Sequence, residues 1–145
     1  MAAAVHQVVS KAIGLGKHVT GPGGRLTILE DLDLEVGSGE AVAILGASGS
    51  GKSTLLGLLA GLDQASAGEI WLCGRSLASL GEDGRAALRE GRVGFVFQNF
   101  QLLPTLSARE NVLLPLELSD TSGAERIADE TLAQVGLSER SGHYP

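Results

Sequence analysis

The stretch from Ala41 to Leu62 constrains the fold more than any other part of the chain. Ala41-Val42-Ala43-Ile44-Leu45 is a short apolar run of the kind that forms a buried parallel strand. Gly46-Ala47-Ser48-Gly49-Ser50-Gly51-Lys52-Ser53 then completes the pattern G-x-x-x-x-G-K-S. The following Thr54-Leu55-Leu56-Gly57-Leu58-Leu59-Ala60-Gly61-Leu62 is apolar on nearly every face and predicts a helix packed inside an α/β sandwich. Strand, glycine loop and helix in that order make the pattern a physical expectation: a cradle for a nucleoside phosphate.

The residue types fit that chemistry. Glycines at 46, 49 and 51 let the backbone turn tightly and approach a ligand with no Cβ in the way. Successive N–H groups then face inward, and the N-terminus of the helix adds partial positive charge. Lys52 can reach the β- and γ-phosphates as a mobile point charge. The Ser53 hydroxyl suits Mg²⁺, a hard cation that prefers oxygen.

The rest of the composition bounds the setting. A chain of 145 residues has the size of one ordinary domain. Its net charge is −6 and its Lys and Arg residues are scattered singly, which argues against nucleic-acid binding. The one cysteine, Cys73, excludes an internal disulfide and a cysteine-based metal site; a buried packing role in a reducing compartment is expected of it. No basic segment followed by an apolar run marks a signal peptide. No apolar stretch approaches the ~20 residues that span a bilayer, so any work at a membrane requires a partner.

Around the loop, a first strand is expected from Val5 to Leu15 and a turn at Gly21-Pro22-Gly23-Gly24. Leu32, Leu34 and Val36 alternate with Asp31, Asp33 and Glu35, a strand whose acids form a solvated face. Glu69 to Leu72 predicts a short strand carrying Trp71 as a packing residue. Glu82 to Arg92 predicts a helix, and Val93 to Phe97 a further strand. Ser107-Ala108-Arg109-Glu110 and Ser122-Gly123-Ala124-Glu125 both match the S-x-x-E capping box. In the second of these helices Ala124, Ile127, Ala128, Leu132 and Val135 form an apolar stripe, with Gly136 as the C-terminal cap. Helices interleaved with strands predict an α/β layered fold with a more antiparallel β portion at the front.

From about Leu26 onward the chain closely resembles the nucleotide-binding subunits of ATP-binding cassette (ABC) transporters. The matching stretches are Leu26 to Leu29 with Gly39-Glu40, Gly46 to Asp63, Ser66 to Ile70, and Val93 to Ser107 followed by Glu110-Asn111-Val112. Within that family the similarity is to the lipoprotein-releasing and macrolide-export type. The resemblance implies a P-loop NTPase fold of the ABC ATPase type, α/β with a parallel core sheet, helices and an N-terminal antiparallel β portion, whose core covers about residues 1–97 and whose glutamine loop and helical subdomain cover about 98–145. It implies ATP and Mg²⁺ as cofactors and nucleotide contacts from Gly46, Ala47, Ser48, Gly49, Ser50, Gly51, Lys52, Ser53 and Thr54. Gln98 matches the glutamine that contacts Mg²⁺ or the attacking water and couples nucleotide state to the membrane subunit. Lys52 and Gln98 are the implied catalytic residues, and Ser53 and Gln98 the implied metal ligands.

Further implications are a membrane permease partner, a second ATP-binding subunit in a homodimer, and a peripheral place on the cytoplasmic face of the bacterial inner membrane. Two departures from the family pattern are visible. Val19, beside His18, stands where an aromatic residue usually stacks on adenine, so apolar contact replaces a π-face. His18 itself reads as an exposed loop residue, and neither His6 nor His143 is a site candidate. The Leu-Ser-Gly-Gly signature, the catalytic glutamate and the switch histidine have no counterpart up to Pro145, so the chain reads as the N-terminal part of a longer product that is inactive as an ATPase on its own. Two alternatives stay open: a nucleotide-binding or interaction protein that does not hydrolyse ATP, and another P-loop enzyme such as a small-molecule kinase.

Overall fold

The computed structural model describes residues 7–145, which fall into two compact units, one ending at Val93 and the other spanning Gly94–Pro145. Val5 and His6 lie outside the described residues. In the first unit β1 (Val8–Gly21), β2 (Gly24–Gly37), β3 (Ala67–Leu72) and β4 (Arg75–Ser76) form a sheet in the order β2-β1-β3-β4, each pair antiparallel. Pro22-Gly23 joins β1 to β2 with Gly21 opposite Gly24, the tight connection that the turn residues predict. In β2 the alternation holds: Leu32, Leu34 and Val36 are half-buried while Asp31, Asp33 and Glu35 are exposed. The acids stay useful on that wet face. Glu35 pairs with Lys11 of β1 at 3.0 Å, and Asp33 accepts from the Gly14 N–H at 2.7 Å where β1 bulges.

Helix α1 (Lys52–Leu59) lays Leu55 and Leu58 into a core with Ala12, Leu15, Ile70, Leu72, Leu77 and Leu88. At eight residues α1 is too short to persist alone, so this burial is what holds it. Leu88 comes from α2 (Glu82–Arg89), whose Arg89 donates to the Gly61 carbonyl at 2.8 Å just beyond α1. On the other side Lys17 of β1 reaches Asp63 at 2.7 Å and the Gln64 carbonyl at 2.8 Å. The hydrogen bond from Lys17 holds the Asp63 carboxyl below its ordinary pKa.

Several sequence expectations are corrected. Ala41–Leu45 and Val93–Phe97 belong to no sheet; Leu45 is 90% exposed and Val96 fully so. A parallel strand needs neighbours that satisfy its N–H and C=O groups, and all ladders among the described residues are antiparallel. The expected parallel core sheet is therefore unpaired, and the antiparallel portion carries the core. For the same reason α1 buries one face only, and Leu56 is half-exposed on the other. Trp71 lies on the outer side of β3 with its indole N–H on Glu69 at 3.2 Å. Cys73 is exposed in the β3–β4 turn, not buried. His18 lies in β1, not in a loop, with its Nδ1 3.0 Å from an Arg25 guanidinium nitrogen.

The second unit is a helical pair, α3 (Ala108–Leu118) and α4 (Ala124–Gln134). The first capping box forms in full: the Ser107 hydroxyl accepts from the Glu110 N–H while the Glu110 carboxylate accepts from the Ser107 N–H at 2.7 Å. The second does not, because Gly123 is the N-cap of α4 and no side chain caps it. Ala128 and Leu132 are buried on the predicted stripe, but Val135 lies past the helix and is exposed. Gly136 ends α4 as expected, its N–H bonding the Ala133 carbonyl while the Leu137 N–H bonds that of Leu132. Arg109 of α3 clamps Asp129 of α4 with paired bonds of 2.6 and 3.1 Å, which raises the pKa of the guanidinium and lowers that of the carboxyl.

Candidate functional site

The glycine loop connects the extended segment after β2 to the first turn of α1. Gly49 and Gly51 sit at φ 77° and 87°, left-handed conformations that a side chain disfavours. At Gly51 space is also short. A Cβ there would lie 3.0 Å from Leu29 Cδ2, 3.1 Å from the Ile28 carbonyl oxygen and 3.2 Å from Ile28 Cγ2. Strand β2 thus presses directly on the start of α1.

Gly51 is the N-cap of α1 and no side chain caps the helix, so the first-turn amides are left to the loop's concave side. Lys52 folds back over that side. Its ammonium donates to the carbonyls of Gly46 at 2.9 Å and Ala47 at 2.6 Å, with a longer contact of 3.4 Å to the Ser50 hydroxyl. The Ser50 N–H closes the loop on the Ala47 carbonyl at 3.3 Å. A cationic head held by two carbonyls, beside uncapped amides, is a site for an oxyanion.

The donor set also fits Mg²⁺. That ion keeps several waters and takes one or two protein oxygens plus substrate phosphates, and Ser53 is exposed at the start of α1. Among the described residues no cluster of three or more His, Cys, Asp or Glu side chains offers a closed metal cage.

The structure therefore gathers Gly46 to Thr54 into one constellation. Val19 lies in the same unit, half-exposed in β1 opposite Leu26 of β2. Gln98 lies in the second unit, exposed at a bend before α3. His143 uses its backbone, accepting from the Ala108 N–H at 2.8 Å. Two contributions escaped the sequence reading. Ile28 and Leu29 buttress Gly51, a contact between distant segments that no local pattern announces. Asn111, noticed only as part of a matching block, binds four backbone groups of residues 103 to 107; an Asn one turn past a capping Ser was the available signal.

A glycine loop that runs into a helix N-terminus, with its lysine folded over it, defines a P-loop domain. The family can then be stated. The sequence profile described as ABC transporter matches residues 29–144, and the chain belongs to this family. It is 48% identical to the ABC transporter ATP-binding protein YbbA of Escherichia coli K12, over 97% of this chain and 60% of the relative. It is likewise 48% identical to the lipoprotein-releasing system ATP-binding protein LolD of Pseudomonas syringae pv. tomato, over 83% of this chain and 54% of the relative. Identity to the macrolide export ATP-binding/permease protein MacB of Rhodopseudomonas palustris is also 48%, over 86% of this chain and 20% of that protein.

Among solved structures, the dimeric ATP-binding cassette MJ0796 bound to ADP and phosphate superimposes with a TM-score of 0.87 at 34% identity. That match covers 94% of this chain and 62% of that one. The chain thus spans about 60% of the length of the ATP-binding relatives it matches. The P-loop fold of the ABC ATPase type is shown by this likeness, although its parallel ladders are not formed among the described residues.

Proposed function

We propose that this chain binds Mg-ATP at Gly46 to Thr54 as the ATP-binding part of an ABC transporter subunit. The observation that carries the reading is the Lys52 ammonium, held by the Gly46 and Ala47 carbonyls beside the uncapped amides of α1. Its weak third contact, 3.4 Å to Ser50, is the one a phosphate oxygen exchanges with. The ammonium then serves the β- and γ-phosphates without being moved. Ser53 supplies a hydroxyl oxygen to Mg²⁺, which neutralises phosphate charge when bound. Gln98 is assigned as the second neutral oxygen ligand and the group that orients water, since its amide accepts on one side and donates on the other. Val19 gives the base apolar contact and no stacking face.

Hydrolysis belongs, in this reading, to the complete subunit paired with a second copy, as in the dimeric MJ0796 cassette. The 145 residues alone bind nucleotide with negligible turnover. A membrane permease is the partner, by analogy with the lipoprotein-releasing and macrolide-export relatives. Among the described residues no helix is long and apolar enough to cross a membrane. In this reading the permease provides the contact with the inner membrane, at its cytoplasmic face, by the same analogy. Lys52→Ala tests the reading. It removes a charge-assisted contact worth about 1.5–3 kcal/mol, so ATP affinity measured by titration calorimetry falls about ten- to a hundredfold. Unchanged affinity refutes the site.

A further inference from the structure

Between Gln98 and α3 runs Asn99-Phe100-Gln101-Leu102-Leu103-Pro104-Thr105-Leu106-Ser107. Its first part is loosely tied. Phe100 is 86% exposed, Leu102 and Leu103 are half-exposed, and Gln101 sits at φ 49°, a left-handed conformation that a residue with a side chain seldom adopts. Its second part is a turn, closed by the Leu106 N–H on the Leu103 carbonyl at 3.0 Å with Pro104 where a preset φ helps.

Asn111 holds that turn. Its Oδ1 accepts from the Leu103 N–H at 2.8 Å, and its Nδ2 donates to the carbonyls of Leu103 at 3.2 Å, Leu106 at 2.9 Å and Ser107 at 3.0 Å. One carboxamide thereby satisfies both backbone groups of Leu103 and the last carbonyls before α3. Asn111 is itself well fixed. The Ser107–Glu110 box locks the first turn of α3, and the Arg109–Asp129 pair locks α3 to α4. Turn, α3 and α4 form one body, and Leu103 is the residue nearest Gln98 that Asn111 grips.

We propose that Asn111 is a positioning residue that transmits movement between the α3–α4 pair and the segment carrying Gln98. Its amide protons are taken up by three carbonyls, so it has no donor left for a nucleotide and acts only through Leu103. The proposal rests on the coupling role of Gln98. In that role the membrane partner bears on the exposed Phe100, Leu102 and Leu103, and the clamp keeps their displacement from dissipating in a slack loop. Asn111→Ala removes all four bonds. Asn111→Asp keeps the shape and the acceptor for Leu103 but turns a carboxylate oxygen toward three carbonyls.

The test uses the full-length protein assembled with its membrane permease in lipid vesicles. ATP turnover is measured with and without the permease, and amide hydrogen exchange is followed at Leu103, for wild type and both variants. Exchange at Leu103 should quicken at least about fivefold in Asn111→Ala, the factor for losing one ordinary hydrogen bond. Turnover without the permease should hold, while the stimulated-to-basal ratio falls by roughly two- to thirtyfold. Faster exchange with an unchanged ratio overturns the proposal, as does unchanged exchange. If wild-type turnover ignores the permease, the coupling role of Gln98 fails and the proposal falls with it. If wild type responds and the variants respond equally, only the proposal for Asn111 falls. Should Asn111→Ala not fold, the isosteric Asn111→Asp decides on the stimulated-to-basal ratio.

Discussion

The contact between β2 and the phosphate loop makes a prediction that separates two glycine effects. Gly49 and Gly51 both have left-handed φ, so alanine at either costs about 1–2 kcal/mol in backbone strain. At Gly49 nothing lies within 4 Å of the new Cβ, and the cost ends there. At Gly51 the Cβ meets Leu29 Cδ2 at 3.0 Å and the Ile28 carbonyl at 3.1 Å. The leucine methyl can swing aside; the carbonyl cannot move without shifting β2. That overpacking adds about 1–3 kcal/mol. Gly51→Ala should therefore be the more damaging by that margin. Trp71 is the single tryptophan and lies in β3 of the same unit, so urea unfolding followed by its fluorescence reads the relevant stability. The double change Gly51→Ala with Leu29→Ala should cost less than the sum of the two, since it relieves one of the contacts. A Gly51→Ala protein as stable as Gly49→Ala would refute the claim that β2 buttresses the loop.

Two further outcomes follow from the packing and the caps. Leu58 is fully buried beneath α1, so Leu58→Ala should cost about 2–5 kcal/mol, and nucleotide affinity should fall with the seating of α1; full stability by the same fluorescence assay would contradict the assigned core. Ser107→Ala should cost about 1 kcal/mol at neutral pH through the lost cap of α3. The hydroxyl and N–H of Ser107 hold the Glu110 carboxyl below its ordinary pKa of 4.5. A lowered folded value means that the box contributes fully above that pH and loses its contribution as pH falls through the depressed value. The penalty of Ser107→Ala should therefore shrink in acid, as measured by circular dichroism during denaturation at pH 7 and pH 3. A penalty constant across that range would show that the Glu110 carboxylate takes no part.

What was legible in the sequence was local, and what was missed was pairing. The G-x-x-x-x-G-K-S loop, the Pro22-Gly23 hairpin, the Ser107 cap and the Gly136 terminus each rest on a few consecutive residues whose backbone preferences suffice. The apolar runs Ala41–Leu45 and Val93–Phe97 read as buried strands because composition reports a wish to be covered, not the presence of a neighbour. Trp71 and Cys73 failed for a related reason: each has a packing residue's composition, yet sheet register and a turn place both at the surface. Ser122 failed more subtly, since a matching S-x-x-E lost to Gly123, which takes the left-handed N-cap one residue later at φ 73°.

The same distinction separates the parts of the proposed site. Lys52 could be read from its loop because the carbonyls it binds lie five and six residues away. Ile28 and Leu29 could not, because their role depends on which distant backbone they meet. Asn111, by contrast, binds backbone only four to eight residues away and carried a local signal, an Asn one turn past a capping Ser. The proposed phosphate-holding residues are thus encoded within a single loop and the helix that follows it, whereas the buttressing of that loop by β2 is tertiary. Substitutions at Lys52 should weaken phosphate binding in any setting, whereas those at Gly51 or Asn111 should act only while β2 or α3 is folded against its partner.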